Sequence, residues 1–171
     1  MAGGPTRRAL LVASAAAVPI LIGGCRGVQV LGTPPPPAPD VRLLRAAIIA
    51  EQLMVSRYHA ILAGPAANAS AAAKLAGLLA EHEQHLAQLK SRLIIPPGSA
   101  QSRGLEAVGP GRLNLDLHDS LGALSADEHA ASQRLAAELL TAPPALAQLL
   151  ASISASEATH VPVLDQLRRT A

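Results

Sequence analysis

Six side chains able to bind metal stand near the middle of four apolar helical patterns in this chain. They are Glu51, His82, His85, Glu128, Glu157 and His160. A buried carboxylate is costly unless a cation or a proton compensates its charge, and several at one level also repel one another. Lys and Arg are absent from these stripes, which leaves the histidines or a metal ion as partners. Carboxylates and imidazoles together suit iron, manganese or zinc.

The elements that must position these residues are predicted from hydrophobic periodicity at spacings of three and four. We expect helices over about 40–63, 70–94, 117–140 and 144–168, with Asp40 as the first N-cap and Ser70 as the second. Gly64 and the Pro96-Pro97-Gly98 run are breakers that end the first two helices, and Pro162 should kink the last. The predicted core stripes are Leu44, Ile48, Glu51, Val55, Tyr58 and Leu62; Leu75, Leu79, His82, Leu86, Leu89 and Leu93; Leu117, Leu121, Leu124, Glu128, Ala131, Leu135 and Leu139; and Leu146, Leu150, Ile153, Glu157, His160, Leu164 and Leu167.

The connections between these helices are of two kinds. Helices 1 and 2, and helices 3 and 4, are joined by only a few residues, which forces antiparallel neighbours. A segment rich in Gly, Pro and Ser separates helices 2 and 3. The fold class is therefore all-α, with two helical hairpins joined by a long crossover in a four-helix bundle.

The order of the polar residues resembles that of a known family. Glu51, the pair His82 and His85, Glu128 and Glu157-Ala158-Thr159-His160 are similar to the Glu, Glu-x-x-His, Glu, Glu-x-x-His ligands of ferritin-like carboxylate-bridged dimetal proteins. The resemblance covers about 40–168 and is strongest to ferritin-like domains of bacterial lipoproteins. The two hairpins form a pseudo-repeat, because Glu51 precedes His82 by 31 residues and Glu128 precedes Glu157 by 29.

This resemblance implies a role for each residue. Glu51 and Glu128 correspond to terminal ligands and Glu157 to a bridge. His85 and His160 correspond to the nitrogen ligands. Tyr58 corresponds to a tyrosine often found beside the metals. The implied activity is binding of iron or manganese and oxidation of the bound metal by oxygen or peroxide.

The second helix departs from the family pattern. His82 stands where the family has a glutamate, and an imidazole cannot bridge two metals as a carboxylate does. The site is therefore mononuclear, dinuclear through Glu81 or Glu83 if the helix rotates slightly, or a relic in which Glu and His satisfy each other without metal. Under the relic interpretation the protein is a non-catalytic scaffold that acts through contacts with another envelope protein. The sequence also leaves open whether the chain forms a homodimer.

The N-terminal segment has the layout of an export signal. Arg7 and Arg8 precede an apolar stretch from Ala9 to Ile22 that is too short to span a bilayer. Leu21-Ile22-Gly23-Gly24-Cys25 resembles a lipobox, which predicts a signal peptide over 1–24 and lipidation of Cys25. The proline-rich stretch up to residue 39 then forms a stiff spacer before the bundle at 40–171. We expect a lipid-anchored extracytoplasmic protein, exported by the general or the twin-arginine route.

Charge and composition exclude several function classes. The segment 1–24 holds two of the 14 basic residues and none of the 12 acidic ones, so the remainder is formally neutral. A neutral domain with a single aromatic residue offers no phosphate-tracking groove and no stacking platform, which argues against nucleic-acid binding. One cysteine also excludes an internal disulfide.

Overall fold

Four α-helices contain most of the residues that the structure describes. The computed structural model describes residues 38–64, 69–94, 109 and 116–171. Its helices are α1 (Pro39–Leu62), α2 (Ala69–Arg92), α3 (Leu117–Glu138) and α4 (Pro144–Thr170). No strand occurs in these ranges, so the all-α prediction is confirmed and each helix lies within about two residues of its predicted bounds.

The helix starts follow local backbone chemistry. The prediction that Asp40 caps α1 is wrong, because Ala38 is the N-cap and Pro39 opens the helix. Proline needs no N–H partner in the first turn and has a fixed φ suited to it. Asp40 lies in that first turn, where its charge meets the positive end of the helix dipole. Ser70 likewise lies inside α2, which begins at Ala69. At α3 the side chain of Asp116 is a true cap and accepts a hydrogen bond from the backbone N–H of Asp119 at 3.0 Å.

The last helix continues past its internal proline. α4 runs through Pro162 to Thr170. A proline removes one backbone hydrogen bond, but Leu164 and Leu167 beyond it are both buried, and their burial holds the final turns against the core.

The apolar core consists of two clusters. One cluster contains Met54 and Tyr58 from α1 with residues from the first half of α2, the first half of α3 and the end of α4, among them Leu75, Leu121 and Leu164. The other contains Ile48 from the first half of α1 with Leu89, Leu135 and Ile153 from the other helices. In every helix the predicted Glu or His ligands fall between the positions that enter the two clusters. The polar side chains therefore form a layer, called here the polar layer, between two apolar blocks.

Pairwise packing is uneven around the bundle. α3 packs mainly against α4 and α1 mainly against α2, with smaller contacts between α1 and α3 and between α2 and α4. Ser132 and Ser154 reinforce the α3–α4 pair, because each hydroxyl donates to the backbone carbonyl of the other residue, at 2.8 and 2.9 Å. Within the described ranges, no helix is both long and apolar enough to cross a membrane.

Candidate functional site

The polar layer draws at least one side chain from each helix. Its members are Glu51 and Tyr58 from α1, His82 and His85 from α2, Glu128 from α3, and Glu157 and His160 from α4. All except His85 are at most 2 % exposed, and the His85 side chain is 12 % exposed. The seven residues singled out in the sequence therefore meet at one level of the bundle.

Glu128 is the acceptor at the centre of the layer. Its Oε1 accepts hydrogen bonds from the Tyr58 hydroxyl at 2.6 Å and from His82 Nε2 at 2.8 Å. The Nδ1 of His160 approaches the same oxygen at 3.2 Å. Three helices besides its own thus contribute a donor to one carboxylate oxygen, and such charge-assisted bonds are stronger than neutral ones.

His82 links the two halves of the layer. Its Nδ1 donates to Glu51 Oε2 at 2.8 Å while its Nε2 donates to Glu128. His85, almost one turn further along α2, places its Nδ1 3.4 Å from Glu51 Oε1. The imidazole of His82 therefore lies between two carboxylates, those of Glu51 and Glu128.

The charges of these groups follow from their partners. Burial opposes a charge on His82, but the carboxylates of Glu128 and Glu51 raise its pKa to about 10. Burial also opposes ionisation of Glu128, yet hydrogen bonds from His160 and His82 lower its pKa to about 2. Glu51 is likewise desolvated, and His82 and His85 hold its pKa below the ordinary value. His82 is thus an imidazolium between two carboxylate anions at neutral pH.

His160 and Tyr58 also contact the Glu128 carboxylate and stabilise its charge. Desolvation disfavours the charged form of His160, but the hydrogen bond to Glu128 raises its pKa. Burial and the neighbouring Glu128 raise the pKa of Tyr58 far above its usual range. The phenol therefore keeps its proton and donates a hydrogen bond to Glu128.

Glu157 is the unsatisfied member of the layer. Burial raises its pKa to about 8, and the negative charges of Glu51 and Glu128 act in the same direction. Its Oε2 is buried and has no hydrogen-bond partner among the described residues. The same holds for Glu128 Oε2, and neither Glu51 Oε1 nor His85 Nδ1 forms a well-oriented hydrogen bond. One such atom comes from each of the four helices.

Three of these four residues, Glu51, His85 and Glu128, belong to clusters that could hold a cation, whereas Glu157 belongs to none of the clusters found among the described residues. Two groups bring three ligand atoms within 4.8 Å of one another: Glu51, His82 and His85 form one, and His82, Glu128 and His160 form the other. Both are buried nitrogen and oxygen sets of the kind that binds iron, manganese or zinc. They share His82, so its two ring nitrogens face different groups. The polar layer can therefore hold a metal ion, provided that the ion replaces a proton on the imidazole.

Glu81 borders the polar layer although it lies off the predicted stripe. Its Oε2 is 3.1 Å from His160 Nε2 and accepts a hydrogen bond from the Ser156 hydroxyl at 2.8 Å. The Glu81 side chain is 51 % exposed, and its contact with His160 lowers its pKa. Sequence periodicity treats Glu81 only as a substitute for His82, whereas in the structure it is the surface partner of a histidine on α4. Its position directly before the seam residue His82 was the available signal.

The remaining predicted residues lie elsewhere. His59, His118 and His129 are exposed, in agreement with their position outside the stripes. Glu83, the other candidate substitute, is exposed and pairs with His59 at 3.4 Å instead of entering the layer. Cys25, the predicted lipidation site, lies outside the described residues.

Comparison with known proteins adds no relative. No protein-family model, no curated protein and no solved structure matches this chain.

Proposed function

We propose that the polar layer is a metal centre in a lipid-anchored protein of the cell envelope, and that it takes iron or manganese and supports oxidase-type chemistry. The observation that carries this proposal is the set of three buried carboxylates, Glu51, Glu128 and Glu157, of which only two are neutralised by the imidazoles. The third is held protonated by its surroundings. A bound cation reduces the cost of burying these carboxylates, because it is coordinated by the oxygens that have no hydrogen-bond partner.

The membership of the two apolar clusters supports a ferritin-like topology. The end of α1 and the start of α2 enter the cluster that contains Tyr58, and so do the start of α3 and the end of α4. The end of α2 enters the other cluster through Leu89. Thus α2 ends and α3 begins at opposite ends of the bundle, and the residues that join them lie mostly outside the described ranges. We therefore propose that 93–116 is the crossover of a ferritin-like fold.

The residues of this chain divide the work at such a centre. Glu51, Glu128 and Glu157 supply oxygen ligands, and His85 and His160 supply nitrogens. Tyr58 orients Glu128 through its hydrogen bond, and the two leucine-rich clusters keep bulk water from the layer. A bound iron or manganese ion supplies the one-electron exchange with oxygen or peroxide. Both buried three-residue groups include His82. This favours one bound ion, whereas a carboxylate-bridged centre requires two.

The location proposed for this centre rests on the N-terminal residues. Lipidation at Cys25 and a proline-rich spacer place the bundle, whose first helix begins at Pro39, close to the membrane on its outer side.

A second function is favoured by one specific observation. His82 already pairs with one oxygen of Glu51 and one of Glu128, and His160 approaches that same Glu128 oxygen. A scaffold that retains these bonds and binds an envelope protein partner, or a second copy of itself, needs no metal.

Metal content separates the two proposals. The protein is purified without chelator and compared with Glu157→Gln and His160→Gln, with Glu83→Gln as a surface control. The metal proposal expects about one to two equivalents of iron or manganese in the wild type and the control, and loss in both site variants. A wild-type protein that stays metal-free after incubation with Fe(II), Mn(II) and Zn(II) establishes the scaffold instead.

A further inference from the structure

Glu81 connects the polar layer to the protein surface. Its side chain is 51 % exposed, whereas the His160 side chain that it contacts is 1 % exposed. The Ser156 hydroxyl donates to Glu81 Oε2 and ties this carboxylate on α2 to the neighbouring helix α4. Glu81 is therefore held in a fixed place at the boundary between water and the buried residues.

A continuous series of contacts leads inward from this carboxylate. His160 Nε2 faces Glu81 at 3.1 Å, and His160 Nδ1 faces Glu128 Oε1 at 3.2 Å. From Glu128 the hydrogen bonds continue through His82 to Glu51. The imidazole of His160 thus lies between the exposed carboxylate of Glu81 and the central carboxylate of Glu128. Only one side chain separates Glu128 from the half-exposed Glu81.

The position of this path matches the weaker packing of the bundle. α2 and α4 contact each other much less than α3 and α4 do. His85, four residues after Glu81 on the same face of α2, is the most exposed residue of the layer, at 12 % of its side chain. The polar layer is therefore closest to solvent beside Glu81.

A hydrated divalent cation faces a large desolvation cost when it enters a buried layer in one step. A half-exposed anion lowers that barrier, because it binds the ion while part of its hydration shell remains, and it raises the local cation concentration at the entrance. His160 then offers its nitrogen directly beneath.

We propose that Glu81, fixed by Ser156 and His160, is the entry carboxylate through which a divalent cation reaches the polar layer, and that it sets the rate of uptake without changing the number of ions held. This inference rests on the proposed metal centre. It assigns Glu81 a role that differs from that of a substitute ligand.

Uptake of Co(II) by the full-length, chelator-treated protein tests the inference, followed by stopped-flow visible absorption. The variant Glu81→Gln keeps the size of the side chain and removes its charge. Glu83→Gln is the matched control, since Glu83 lies two residues away on α2 and its side chain is 54 % exposed. Ser156→Ala is a second variant that leaves the Glu81 charge in place but removes its anchor.

We expect uptake by Glu81→Gln to slow about tenfold or more, with a weaker dependence on ionic strength. Its final absorption spectrum and stoichiometry match those of the wild type. Ser156→Ala slows uptake by a smaller factor, and Glu83→Gln leaves the rate unchanged.

Two results overturn the inference while the metal centre stands. Uptake by Glu81→Gln at the wild-type rate removes the entry role, and an altered final spectrum or stoichiometry makes Glu81 a ligand instead. A wild-type protein that takes up no Co(II), Fe(II) or Mn(II) refutes the metal centre itself, and the entry role with it.

Discussion

The substitution Glu157→Gln should stabilise the metal-free protein while it abolishes metal binding. Glu157 has a pKa of about 8 in the fold against an ordinary 4.5, because it is buried near Glu51 and Glu128. Its protonated form is therefore favoured in the folded state, and the unfolded chain gains stability as it ionises. This cost is absent below pH 4.5, grows as the pH rises, and is complete once the pH has passed 8.

The two pKa values give the size of the effect. At pH 7 the unfolded carboxyl is almost fully ionised and the folded one almost fully protonated, which costs the wild type about 3 kcal/mol. Near pH 5 the same difference costs less than about 1 kcal/mol. Glutamine has a similar shape and cannot ionise, so the variant should be more stable than the wild type by these amounts.

Urea unfolding in the presence of chelator, at a series of pH values from 5 to 9, measures the difference directly. Glu83→Gln, on the surface, is the control and should track the wild type at every pH. Equal stabilities of Glu157→Gln and the wild type from pH 5 to 9 would refute the reasoning, as would a variant that is less stable at pH 7. In either case Glu157 is already compensated within the fold.

Two further predictions concern the hydrogen bonds of Glu128. Tyr58→Phe keeps the buried ring but removes the donor 2.6 Å from Glu128 Oε1, and we expect it to lower the free energy of unfolding by about 1–3 kcal/mol in urea titrations; a loss within experimental error would mean that this bond contributes nothing net. His82→Gln removes the imidazolium between Glu51 and Glu128 and should lower the free energy of unfolding by about 3–5 kcal/mol. Because the fold raises the pKa of His82 from 6.5 to about 10, its contribution is complete below pH 6.5 and disappears as the pH rises past 10, so an equal loss of stability on both sides of that window would contradict the assignment.

Periodicity alone predicted most of the fold. Apolar residues at alternating spacings of three and four predicted the four helices and which face of each is buried, because Leu and Ile must leave water and a helix presents one stripe to its neighbours. Since each stripe turned polar near its middle, the pattern also predicted the level at which Glu51, His82, Glu128 and Glu157 meet. These are properties of single helices, which a single sequence records well.

The partners of these residues could not be predicted in the same way. A stripe shows that His82 points inward but not that its two nitrogens reach carboxylates on two different helices. The same limit explains Glu81, whose contacts with Ser156 and His160 depend on the rotation of α2 against α4. The start of α1 differed for a local reason, since Pro39 opens the helix before Asp40 can cap it.

The single tyrosine of this chain gives the protein a built-in optical probe. The sequence contains no tryptophan and no phenylalanine, and Tyr58 lies inside the polar layer with its hydroxyl on Glu128. A phenol becomes more acidic when it absorbs light, so a carboxylate at hydrogen-bonding distance takes its proton and quenches its emission. All ultraviolet fluorescence of the protein therefore comes from the candidate centre. An ion that draws Glu128 away changes that emission, which makes occupancy of the centre readable in unlabelled protein.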